Sequence, residues 1–142
     1  MKGRTSPGIV WAAAAVLWML FIWSNSLQTA AESSGMSQGV LDRVLPFLAL
    51  TGLSEDVLHT LVRKAAHMTE FAILGMLWSV GLRKNKPAFA ICLLTAMTDE
   101  TIQYFVPGRS CEVRDVCIDA AGAALGIVAA YLFQRVMDRR KN

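Results

Sequence analysis

The sequence predicts an all-α, polytopic membrane protein. It should form a single membrane domain over residues 1–142, a four-transmembrane-helix bundle with an outer amphipathic helical segment. Three observations carry this expectation. Hydrophobic residues make up 54% of the 142 residues, charged residues only 18%, and mean hydropathy is +0.42. Four long apolar stretches are separated by short charged clusters, each about the 20 residues that a helix needs to cross roughly 30 Å of hydrocarbon. The basic residues are unevenly shared among the connecting segments, which is how membrane proteins fix their orientation.

The first span covers about 8–27, within an interval that has no charge between Arg4 and Glu32 and contains "IVWAAAAVLWMLFIW". A cleaved signal peptide is the competing reading, with Lys2 and Arg4 as its basic start and Thr29 and Ala31 small enough to precede a cut. The apolar block is long for such a peptide, and Trp11, Trp18 and Trp23 suit a retained helix with interfacial aromatics.

The segment from Ser24 to Val62 is the one sizeable soluble portion. Its opening "SNSLQTAAESSGMSQG" is small and polar and reads as irregular. "VLDRVLPFLALTG" then puts Val40, Leu41, Val44, Leu45 and Leu48 at helical spacing, an amphipathic piece that lies on the outer surface of the bilayer or caps the bundle. Ser54 followed by Glu55 and Asp56 is a helix start, a hydroxyl to cap free amides and acids that suit the dipole. That helix should run unbroken into the second span.

Spans two to four, about 63–82, 87–106 and 115–134, each contain ionisable residues. "RKNKP" turns the chain between the second and third, and "VPGRS" between the third and fourth. Nine basic residues fall in the terminal and 83–86 segments and five in the others, so both termini are expected in the cytoplasm. The net charge of +3 then reflects topology, and no nucleic-acid partner is expected because the basic residues are scattered over separate segments. Of the three cysteines, Cys92 should be packed or lipid-facing. Cys111 and Cys117 should lie near the outer face, where free thiols are the favoured reading over a disulfide.

Depth singles out a site. At about 1.5 Å per residue, Glu70 lies roughly 20 Å above the inner boundary, Asp99 and Glu100 roughly 18 to 20 Å, Asp119 roughly 22 Å and His67 roughly 24 Å. Three helices thus place ionisable groups in one outer slab. His67 and Glu70 share a face by spacing, as do Asp99 and Gln103, Glu100 and Gln103, and Asp115 and Asp119. Gly122 and Gly126 continue the last stripe and allow close helix approach. A charge facing lipid costs ~3 kcal/mol or more, so these faces should converge on a polar pocket, with Arg109 and Arg114 at its rim. Structural glue between helices is the bland alternative for any one of them.

At these residues the chain resembles the VanZ-like family of small bacterial membrane proteins. "RKAAHMTEF" is similar to that family's R-K-x-x-H-x-x-E-Y, "DETIQYFVPGRS" to D-E-x-x-Q-x-F-x-P-G-R, and "DVCIDAAGAALG" to D-x-x-x-N-x-x-G-x-x-x-G. "SNSLQTAAESS" resembles its S-x-Q and downstream serines. Phe71 stands where tyrosine is usual and Asp119 where asparagine is usual. The resemblance implies a cell-envelope protein associated with resistance to teicoplanin-type lipoglycopeptides, and it supplies no settled reaction.

Three functions stay open. One is a binding protein for a lipid head group, a peptidoglycan precursor or a lipoglycopeptide, with Arg63, Lys64, Gln103, Arg109, Arg114, Asp115 and Asp119 as contacts. Another is a membrane hydrolase or transferase on a lipid-linked substrate, using His67, Glu70, Asp99 and Glu100, with or without a divalent metal. The third is a small lipid transporter, for which four spans without repeats suit a monomer poorly but an oligomer better.

Overall fold

The computed structural model describes residues 7–48 and 52–139. Lys2, Arg4, Arg140 and Lys141, used above for orientation, lie outside them. Among the described residues there are five helices and no strand: α1 (Pro7–Ser26), α2 (Ala30–Leu48), α3 (Glu55–Leu82), α4 (Asn85–Tyr104) and α5 (Val113–Arg139).

Three of these, α1, α3 and α5, are long and apolar enough to cross a membrane. The expected number was four, and the difference is α4. It has 20 residues, but Asp99, Glu100 and Gln103 crowd its last two turns and dilute its apolar character. The expected unbroken entry into the second span is present, since α3 is one helix of 28 residues beginning at Glu55. Its start differs in detail. Ser54 has the extended backbone of a cap residue, but its hydroxyl makes no capping hydrogen bond.

The stretch after α1 is helical rather than irregular from Ala30 onward. Its small polar composition concealed a capping box, Thr29-Ala30-Ala31-Glu32. The Glu32 amide donates to the Thr29 hydroxyl at 3.3 Å, while the Glu32 carboxylate accepts from the Thr29 amide at 2.8 Å. Two orphan donors are satisfied at once, which is what starts a helix of otherwise modest propensity. Of the amphipathic positions in α2, Val40 is exposed; the side chains of Leu41, Val44, Leu45 and Leu48 lie outside the description.

The connections follow the sequence more closely. Arg83 ends α3 in the left-handed region at φ 52° and donates its amide to the Ser79 carbonyl. Pro87 sits in the first turn of α4, where its missing N–H has no intrahelical acceptor to lose. Gly108, at φ 78°, makes the turn between α4 and α5.

In lipid the hydrophobic effect does not drive helices together, so close packing and polar contacts must. Helix α3 touches each of the other four, and most extensively α5. The reason is a row of glycines. A Cβ on Gly122 would collide with the Met68 carbonyl, one on Gly126 with the Ala72 carbonyl, and one on Gly75 with the Ala123 carbonyl. Phe71 and Leu74, fully buried, fill the space beside this contact, with Ala15 and Ile22 of α1 and Cys92 and Ala96 of α4. Two indoles of α1 turn their N–H groups inward. Trp18 donates to the Glu70 carbonyl at 2.9 Å, and Trp23 to the Thr95 carbonyl at 3.4 Å. The outer surface is apolar, with Leu17, Leu20, Leu94, Met97, Leu125 and Leu132 exposed.

Candidate functional site

Buried charge concentrates at one end of the bundle. Asp99, Glu100, Gln103 and Asp119 are all at most 5% exposed, a costly arrangement unless each finds a partner. Helix α4 presents the first three on its inner face, and α5 presents Asp119 from beside the glycine row.

Asp99 is the best satisfied. Ser26, at the end of α1, donates to its Oδ1 at 2.6 Å, and Gln103 donates to its Oδ2 at 2.7 Å. The spacing of Asp99 and Gln103 therefore does bring them together. Glu100 points elsewhere and accepts the Glu112 amide at 2.8 Å. Glu112 directly precedes α5, so a carboxylate on one helix holds the positive end of the next. The adjacent acids have different partners because neighbours on a helix diverge by about 100°.

The second wall comes from α3. Glu70 accepts from the Asn25 amide at 3.0 Å. Lys64 forms an ion pair with Asp115. His67 faces inward, and its ring nitrogen and one carboxylate oxygen each of Asp99 and Asp119 lie within 4.8 Å of one another. Asp119 Oδ1 is buried and has no hydrogen-bond partner among the described residues.

Arg109 closes the end. One of its terminal nitrogens donates to the carbonyls of Asn25, Ser26 and Gln28 at 3.4–3.5 Å. It thereby covers the negative end of α1 with a cation. Burial lowers its pKa from the ordinary value, opposed by the Asp99 carboxylate, yet an arginine stays charged in proteins. Arg114 does not join the site. It reaches outward to Glu112 at 3.0 Å, with its side chain 69% exposed.

Two spaces meet at this cluster. The larger, about 560 Å³, lies between α1, α2 and α3. Trp18, Phe21, Val62 and Ile73 give it apolar walls, and Arg63, His67, Glu70, Asn25 and Arg109 line its polar side. The smaller, about 10 Å³, is bounded by Arg63, Lys64, His67, Glu100, Gln103, Arg109, Asp115 and Asp119. Arg63, His67 and Arg109 border both, and Arg63 has no hydrogen-bond or ion-pair partner among the described residues. Asn25, Ser26, Trp18 and Phe21 also contribute, although none was a candidate site residue and the first two entered only through the quoted "SNSLQTAAESS". The available signal was the polar pair at the end of an otherwise apolar first helix.

The three cysteines are free thiols, Cys92 buried and Cys111 and Cys117 exposed.

Long apolar helices around an inward-facing acidic cluster define a small helical protein suited to a membrane. Within that class the chain belongs to the VanZ/LLP1 family, whose model matches residues 11–134. No curated protein and no solved structure matches it.

Proposed function

We propose that the protein binds an anionic amphiphile of the cell envelope, a lipid or lipid-linked precursor bearing phosphate or carboxylate, in the cavity between α1, α2 and α3. One observation carries the reading. A space of about 560 Å³, within the usual range for small-ligand sites, has apolar walls and two arginines at its polar side. An acyl or prenyl chain suits Trp18, Phe21, Val62 and Ile73. The head group suits Arg63, which has no hydrogen-bond or ion-pair partner among the described residues, and the donors of Arg109 that the Asn25, Ser26 and Gln28 carbonyls leave unused.

In this reading α4 also crosses the bilayer and makes the fourth span. Its polar residues Asp99, Glu100 and Gln103 are covered by the other helices, while Phe89, Leu94 and Met97 face outward. Both termini are cytoplasmic, and the cavity opens to the outer leaflet, where lipoglycopeptides and peptidoglycan precursors meet. That placement and the family together support a role in teicoplanin-type resistance.

A hydrolase or transferase on the same ligand is the second reading. It is favoured by the position of His67 between the large cavity and the small polar space, where a base and a bound head group would be neighbours.

The test is binding of phosphatidylglycerol, lipid II and phosphatidylcholine to the full chain in detergent micelles, followed by tryptophan fluorescence. Anionic ligands should bind more tightly than phosphatidylcholine. Arg63→Gln should weaken them by about 10-fold or more, the worth of a charge-assisted hydrogen bond. Equal affinity for all three, or no effect of Arg63→Gln, would reject the reading.

A further inference from the structure

We infer that His67, Asp99 and Asp119 form a binding site for a single divalent transition-metal ion, Zn²⁺ by ligand type. Each residue comes from a different helix, α3, α4 and α5, and one donor atom of each falls within a 4.8 Å group. A tetrahedral zinc ion holds its ligand atoms about 3.3 Å apart. The group would therefore contract by at most about 1.5 Å, a shift within reach of side-chain torsions.

Two features separate this group from a chance gathering of acids. Asp119 Oδ1 is an acceptor left without a partner in a residue only 1% exposed. Such an atom forfeits its hydration unless something else meets it. Asp99 is the opposite case, since Ser26 and Gln103 each donate to one of its oxygens. That is how outer partners orient a metal-ligating carboxylate, leaving its remaining lone pairs for the ion. Two buried carboxylates in one group also repel, and a dication would neutralise both.

The donor set narrows the metal. One imidazole with two carboxylates suits zinc or manganese, whereas magnesium and calcium prefer oxygen alone. The adjoining space of about 10 Å³, bordered by His67 and Asp119, is about one water in size. A fourth ligand therefore has room. The metal site does not depend on the cavity taking an amphiphile.

The experiment is zinc binding to the full chain in detergent micelles after chelator treatment, read by elemental analysis and isothermal titration. One equivalent of zinc is expected. His67→Ala and Asp119→Asn should each weaken binding by at least about 100-fold, and Ser26→Ala by about 10-fold, as for an outer partner. His59→Gln removes the other of the two histidines and should leave binding unchanged. Asp119→Asn is nearly isosteric and removes an unpaired carboxylate, so the chain should still fold; zinc should raise the melting temperature of the unaltered protein but not of this variant. No bound zinc in the unaltered protein, or equal affinity in Asp119→Asn, overturns the assignment.

Discussion

Ser26 and Asp99 are 73 residues apart in sequence and joined by a buried hydrogen bond of 2.6 Å. The contact ties the end of α1 to the inner face of α4, in a setting where lipid offers neither group an alternative partner. Ser26→Ala should cost about 1 to 3 kcal/mol of stability in micelles, because the Asp99 oxygen is left without its donor. Asp99→Ala should cost more, roughly 2 to 5 kcal/mol, since it takes the acceptor from both the Ser26 hydroxyl and the Gln103 amide, which keep only their mutual contact at 3.4 Å, and leaves a void. Chemical unfolding of both variants checks the order. An Asp99→Ala loss no larger than that of Ser26→Ala would show that Gln103 adds nothing to the network.

Close approach of α3 and α5 depends on Gly126. A methyl group there would overlap the Ala72 backbone, which cannot swing aside as a side chain can. Gly126→Val should therefore destabilise by about 1 to 3 kcal/mol or more and push the two helices apart. Gly35→Ala is the matched control. It lies within α2 with open space around it, and should be neutral or gain up to about 1 kcal/mol from helix propensity. Thermal melting of the two variants measures the contrast.

The glycine row was legible because Gly122 and Gly126 are four apart and continue the stripe from Asp115 and Asp119. The inward convergence of His67, Asp99 and Asp119 was likewise readable from depth, since helical rise converts sequence position into height. Partner choice was not. Spacing showed that Asp99 could meet Gln103, but no local pattern indicates that Ser26 of α1 would arrive beside it. Helix α2 was misread for another reason. Its composition of serine, glycine and glutamine obscured the short local signal at Thr29 and Glu32. Arg114, expected at the rim with Arg109, lies instead in the first turn of α5 and reaches Glu112.

The capping box at the start of α2 titrates. The Glu32 carboxyl is held below its ordinary pKa, first by the Thr29 backbone amide and then by the Thr29 hydroxyl. A depressed folded value means that the stabilisation is fully present above the unfolded value of about 4.3 and is lost as pH falls through the folded one. Carbon-13 NMR of the Glu32 carboxyl should therefore show a midpoint below that of a glutamate peptide. Thr29→Ala should move it upward, and an unchanged midpoint would show that the box does not persist in solution.

The topology can be read from thiols. Cys111 is exposed in the turn between α4 and α5, whereas Cys92 is buried within α4. If α4 crosses the bilayer with the proposed orientation, a membrane-impermeant maleimide added to intact cells should label Cys111 and spare Cys92. In a background lacking Cys111 and Cys117, Lys84→Cys lies at the opposite end of α4 and should be labelled only after lysis. Asp138→Cys, near the end of α5, should behave like Lys84→Cys, because one crossing separates each from the α4–α5 turn. Labelling of Lys84→Cys together with Cys111 in intact cells would mean that α4 does not cross, and the acidic cluster would then sit against a bilayer surface. Labelling of Lys84→Cys and Asp138→Cys with Cys111 protected would invert the molecule and place the cavity in the inner leaflet, away from lipoglycopeptides.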